Sequence, residues 1–218
     1  IYDEHSKKGM MMQNIALLER IYPGRRAELK RQILNCALQQ FIQQGIESTT
    51  IEMIRDAAET SVGAIYHHFK HKEGIVSALY ISALKDQATQ RMHALQQSQN
   101  LKHGLYAVIH SYLDWVEQYP DFARFLYAAS YSVQQGIHAE TLKQENLQRN
   151  LQLGQWLALQ PDAEYMTAVP VELRLSLMIG PTESYCRAWL SGRVSPLPTD
   201  YANILAQAAW QSLNAFQM

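Results

Sequence analysis

The stretch from Arg25 to Lys72, RRAELKRQILNCALQQFIQQGIESTTIEMIRDAAETSVGAIYHHFKHK, constrains the fold of this chain more than any other. Between Ala27 and Gln44 apolar residues recur at Leu29, Ile33, Ala37 and Phe41, flanked by Leu34 and Leu38, which is one face of a helix. Gly45 follows as a carboxyl-terminal stop. Thr49, with Glu52 three residues on, forms a capping box for a second helix over about 51–58. The third helix must be short, about 61–67. Ile51, Ile54 and Ala58 pack the second helix on the first, Phe41 fills the space beneath, and Gly63 lets the third helix approach the second. Ile65 and Phe69 bury, which leaves Ser61, Val62, Ala64, Tyr66 and His67 facing outward. A short helix held at an angle against a longer one is a helix-turn-helix, the means by which a compact module offers one helix end to the DNA major groove. The outward set is small or hydrogen-bonding, which suits base edges and thymine methyl groups.

The rest also reads as helix. A fourth helix begins near Lys72, carries Ile75, Val76, Leu79, Tyr80, Ala83 and Leu84 on one side, and runs towards Gln97. Further helices follow at Leu105–Val116, ending before Pro120, at Phe122–Ser132, and at Leu142–Leu159, ended by Pro161. Val171–Leu190 is long and apolar, stopped by Ser191-Gly192, and Tyr201–Phe216 closes the chain. With no strand alternation and no repeat, the expected fold is all-α: an N-terminal three-helix helix-turn-helix domain over 25–72 and a C-terminal helical ligand-binding and dimerisation domain over 73–218. Residues 1–24 read as an amino-terminal arm or a remnant of cloning.

Composition narrows the function classes. With 47% apolar residues in 218, the chain can build a real core. Nineteen basic residues against twenty acidic rule out a polycation. Between Arg20 and Lys72, however, eight lysines and arginines face five acidic residues, the sign that phosphate binding requires. Cys36 and Cys186 sit far apart in apolar surroundings and read as buried free thiols, with no disulfide framework. No apolar run approaches the roughly 20 residues that span a bilayer, and the opening residues lack a signal-peptide layout, so a soluble cytoplasmic protein is expected. No nucleophile elbow, phosphate-cradling glycine loop, HExxH or cysteine pair points to an enzyme. His67 and His71, four apart, suggest metal, but no carboxylate or cysteine completes a ligand set, and neither metal nor cofactor is expected. Tyr66 and Phe69 can also be read as core aromatics, and Lys70 and Lys72 as plain solvated charges.

The run Ser61-Val62-Gly63-Ala64-Ile65-Tyr66-His67-His68-Phe69-Lys70-His71-Lys72-Glu73 resembles the recognition-helix signature of the TetR family of bacterial transcription regulators. The resemblance implies that Thr50, Tyr66 and Lys72 contact DNA phosphates, helped by the amino end of the fourth helix. It implies Ser61, Val62, Ala64, His67 and His68 at or near bases and their flanking backbone, and phosphate contacts from Arg25, Arg26 and Lys30. Some positions depart from the family pattern: Arg55 replaces its alanine, Glu59 its turn glycine, Thr60 its valine, and His71 stands at a capping position. Glu59 in a left-handed backbone costs about 1 kcal/mol and sets a negative charge near the DNA face.

For the remaining helices the resemblance implies a sensor and a dimer interface. Val171–Leu190 and Tyr201–Phe216 form an apolar hairpin with Leu173, Leu175, Leu177, Met178 and Ile179 on more than one stripe. Such a hairpin needs two partners, and the same hairpin of a second copy gives a homodimer and hence a palindromic operator in double-stranded DNA. His110, Asp114, Trp115, Phe125, Tyr131, Trp156, Tyr185 and Trp189 are candidate contacts for a small organic ligand, although each fits core packing as well. Buried Glu183 would need a cation, either Arg187 one turn on or a cationic ligand. The expected function is a DNA-binding transcription regulator, a repressor released from its operator when the ligand binds, with the fourth helix as the lever. The alternative is a helical DNA-binding or interaction protein without a small-molecule inducer.

Overall fold

The structure, a computed structural model, describes residues 4–216. It is built from helices α1 (Glu4–Ile21), α2 (Glu28–Gln44), α3 (Ile51–Ala57), α4 (Val62–Phe69), α5 (Lys72–Leu95), α6 (Leu101–Gln118), α7 (Pro120–Gln135), α8 (Ala139–Ala158), α9 (Glu164–Thr167), α10 (Val171–Leu190) and α11 (Ala202–Asn214). Short 3-10 turns, Arg25–Ala27 and Pro198–Tyr201, precede α2 and α11. No strand occurs among the described residues. No helix among them is long and apolar enough to cross a membrane.

Helix limits follow local chemistry. Gly45, at φ 85°, ends α2 by donating its N–H to the Phe41 carbonyl. Pro120 opens α7, where a missing N–H costs nothing. The cap of α3 falls one residue later than the sequence pattern suggests: Thr50 Oγ accepts from the Met53 N–H, whereas Thr49 is buried and its hydroxyl donates to the Gly45 carbonyl at 2.8 Å.

Two compact units emerge, each discontinuous in sequence. One contains the chain up to Asp86 together with Tyr119–Leu147, and the other Gln87–Gln118 and the chain from Gln148 onwards. In the first, α2 is the hub, packing on α1, α3 and α7. Ile33, Leu34, Ala37, Leu38 and Phe41 of α2 bury, and the Phe41 and Phe125 rings stack at 5.8 Å. Asp121, nearly sealed from solvent, accepts from Asn14 of α1 at 3.1 Å and Gln39 of α2 at 3.0 Å. This grouping carries α7 into the unit of the amino-terminal helices, beyond the 25–72 limit read from the sequence. Residues expected as an arm likewise form α1, because Leu17 and Leu18 bury completely and Arg20 pairs with buried Asp86 at 2.8 Å. The hydrogen bond that it donates to Asp86 holds the Arg20 guanidinium well above its ordinary range.

In the second unit α6 and α11 pack closely, with α10 against both. Leu101, Leu105, Met166, Val169, Ala209 and Leu213 form its core.

Candidate nucleic-acid interface

The α3–turn–α4 unit is held from behind by α2. Gln32 donates to the Ala58 carbonyl at 2.9 Å and the Cys36 thiol to the Ala57 carbonyl at 3.2 Å, so α2 side chains satisfy the exposed end of α3. Burial then pushes the Cys36 thiol above its ordinary value, with a smaller push from the Glu59 carboxylate. Glu59 takes φ 47°, and its N–H reaches the Asp56 carbonyl while the Thr60 N–H reaches that of Arg55. These two bonds make a Schellman ending, with glutamate at the left-handed position that usually falls to glycine.

Ser61 caps α4, its hydroxyl oxygen accepting from the Ala64 N–H at 3.1 Å. Ile65 and Phe69 turn inward. Tyr66 is 48% exposed, His67 and Ser61 are exposed, and Val62, Ala64 and His68 are half-buried. Gly63 does not serve a close approach: a Cβ there would meet only the Ser61 oxygen, at 3.8 Å, on the open side. Burial, with the nearby His67 and Lys30, lowers the His68 proton affinity and so favours the neutral imidazole, which can accept as well as donate.

The joint between α4 and α5 is strained. Lys70 has φ 65° and ψ −44°, and the His71 N–H bonds back to the Phe69 carbonyl at 2.8 Å, a γ-turn of the rarer hand. The Phe69 carbonyl presses on the Cα of Gly74, where any Cβ would collide with it. His71 caps α5 in spite of its departure from the family pattern, Nδ1 accepting from the Gly74 N–H at 3.1 Å.

Lys72 behaves differently from a free phosphate-seeking lysine. Its ammonium donates to the carbonyls of Ile46 at 2.9 Å, Glu47 at 3.1 Å and Thr49 at 3.0 Å. Those three bonds match the three N–H groups of the side chain. Lys30 is also occupied, its ammonium lying 4.0 Å from the centre of the Tyr22 ring. Arg25 and Arg26 are exposed, and Thr50 is exposed at its cap. Tyr66, His67, Ser61 and Thr50 therefore present polar groups on the α3–α4 unit, with Arg25 and Arg26 at the entry to α2. Among the described residues no cluster of three or more histidine, cysteine, aspartate or glutamate side chains could hold a metal ion. Gly74 and the tethering role of Lys72 escape a reading of local pattern. A glycine in the first turn of a helix is the one signal that marked the close approach.

The eight candidate ligand residues are dispersed. Phe125 is buried in the first unit against Phe41, and Tyr131 in the same unit is 76% exposed. In the second unit Trp115 is fully buried, Trp156 donates its indole N–H to the Leu95 carbonyl at 3.1 Å, and Trp189 is half-buried. Tyr185 donates to the Pro196 carbonyl at 3.1 Å. His110 and Asp114 share an open cleft of about 460 Å³ with Thr89, Gln90, His93 and Ser111. Glu183 meets Arg187 at 3.3 Å, the simpler of its two expected partners.

Residues 33–79 match the profile described as bacterial regulatory proteins, tetR family. The HTH-type transcriptional regulator AcrR of Shigella flexneri is 43% identical over 53 residues, 24% of this chain and 25% of that protein. The uncharacterised HTH-type transcriptional regulator YhgD of Bacillus subtilis (strain 168) is 29% identical over 84 residues, 37% of this chain and 44% of that protein. The chain thus spans less than half the length of these curated relatives. A TetR family transcription regulator from Marinobacter aquaeolei VT8 has the same fold, with a TM-score of 0.69 at 17% identity, over 86% of this chain and 96% of that one.

Proposed function

With residues 33–79 a TetR-family amino-terminal domain, we propose that this chain is a DNA-binding transcription regulator, a repressor released from its operator by a small ligand. The observation that carries the reading is the capped, outward-facing end of α4, with Ser61, Tyr66 and His67 exposed on a helix braced by α2 and α3. Residues 25–72 read DNA, and residues 73–218 sense the ligand and dimerise.

Ser61, Val62, Ala64, His67 and His68 lie towards the bases, and Thr50, Tyr66 and Arg26 towards the phosphates. Lys72 acts through the loop that it ties, setting the position of Thr50. Homodimerisation uses α10 and α11, where Leu173, Leu175 and Ile204 leave apolar surface exposed. A two-fold dimer places two copies of α4 about 34 Å apart on a palindrome, and a ligand releases it by favouring a dimer of different spacing. Such a protein works in the cytoplasm and has no catalytic step.

The test is selection of genomic fragments by the purified protein, followed by a salt titration on the best one. A recurrent palindrome with affinity falling steeply with salt is expected; weak binding without sequence preference would overturn the reading.

A further inference from the structure

Arg91, on α5 in the second unit, is a cation with no counter-ion among the described residues. Its Nε and Nη2 are sealed from solvent and have no hydrogen-bond partner, and among the described residues it forms no ion pair. The one charge that acts on it electrostatically is another cation, Arg149 of α8. Burial first, and Arg149 second, lower the proton affinity of Arg91. One turn on, Leu95 is buried and its carbonyl takes the Trp156 indole N–H at 3.1 Å. The Trp156 ring in turn lies so closely on Gly104 of α6 that a Cβ there would collide with it. Trp156 also packs on the core around Leu101 and Leu105. Arg91, with Arg149 close enough to act on it, thus lies one turn from the carbonyl that holds the Trp156 ring, and that ring is fixed on two sides.

A buried guanidinium with no acceptor is destabilising unless an anion completes it, and a planar guanidinium suits the two oxygens of a carboxylate or phosphate. We propose that Arg91, aided by Arg149, binds the anionic headgroup of an organic ligand whose apolar body lies against the half-buried Trp156 ring. The assignment deepens the sensor reading above and rests on it for its consequence at the operator. It moves the recognising charge away from the open His110–Asp114 cleft.

The test uses the full chain and thermal melts with four probes: 2-naphthoate, 2-naphthyl phosphate, uncharged 2-naphthylmethanol and inorganic sulfate. The first two separate a carboxylate from a phosphoryl headgroup. At least one of them should raise the wild-type Tm by several degrees, and the alcohol and sulfate should not. Arg91→Met should raise the Tm of the unliganded protein, because it removes an unpaired charge, and should cut the anion-induced shift at least threefold. Arg91→Lys, which keeps a charge, should retain part of it. Equal shifts in wild type and Arg91→Met, an equal response to the alcohol, a response to sulfate alone, or a lower unliganded Tm in Arg91→Met would each overturn the site. Operator affinity, measured separately, distinguishes the two readings. Anion binding through Arg91 without loss of operator affinity sinks release by ligand and leaves the site standing; operator binding with no anion response does the reverse.

Discussion

Lys72 Nζ donates to the Thr49 carbonyl at 3.0 Å, so the first residue of α5 holds the residue that precedes the α3 cap. With the bonds to Ile46 and Glu47 the same ammonium gathers the whole connection between α2 and α3. Thr50, the cap itself, inherits its position from a side chain more than twenty residues away.

Replacing Lys72 by Ala therefore strips three backbone acceptors of a charged donor. The expected result is a loss of about 1–3 kcal/mol of stability together with weaker operator binding, seen in urea melts and in DNA titrations. A lysine acting only on phosphate would weaken binding and leave the melts unchanged.

Tyr66→Ala should behave in the opposite way. The side chain is largely outside the core, so stability should shift by no more than about 0.5 kcal/mol, while operator affinity falls about tenfold, the scale of one lost direct contact. Unchanged affinity would remove α4 from the DNA face.

Glu59→Gly should stabilise the chain by about 1 kcal/mol, because glycine adopts the observed φ of 47° without a Cβ penalty. It should also tighten DNA binding by removing a negative charge beside α4. Gly74→Ala, by contrast, sets a Cβ against the Phe69 carbonyl and should weaken operator binding by displacing the α4–α5 joint. Paired melts and titrations on the two variants check both directions.

For the dimer, Ile204→Glu is the informative change. Ile204 is 66% exposed on α11, and a charge there should yield folded monomers in sedimentation experiments. Leu213 is fully buried in the core of its own chain, so Leu213→Glu should unfold the second unit rather than split a dimer.

Burial raises the Glu183 carboxyl above its ordinary value, and Arg187 offsets part of the shift. An acid whose folded value lies above its unfolded value contributes stability at low pH and loses it as pH rises through the folded value. Glu183→Gln should flatten that part of the stability curve in melts taken between about pH 4 and pH 7. An unchanged slope would place the carboxylate in water.

Helical content and the outward set Ser61, Tyr66 and His67 were legible because period and burial are local properties of the sequence. The limits of α10 coincide with those read from its apolar run and the following Ser191-Gly192. Two adjacent threonines were not separable: either hydroxyl can cap, and what decides is the bond of the Thr49 hydroxyl to the Gly45 carbonyl within a connection that distant Lys72 holds. The close approach expected at Gly63 falls instead at Gly74, because it depends on which carbonyl lies opposite, and a turn at Lys70 sets the Phe69 carbonyl there. The aromatic residues of the body gave the least. A tyrosine or tryptophan on an apolar stripe looks the same whether it faces a cavity, a neighbouring carbonyl or solvent, as Trp156, Tyr185 and Tyr131 show.

The stack of Phe41 on Phe125 and the hold of Asp121 on Asn14 and Gln39 bear on protein engineering. Residues 25–72 are not a transplantable cassette. Grafted alone onto another sensor, they would bare the α2 surface that α1 and α7 cover and leave Gln39 without its acceptor. A chimera that keeps its specificity would have to carry α7 across as well, with the splice made after Gln135 as well as within α5.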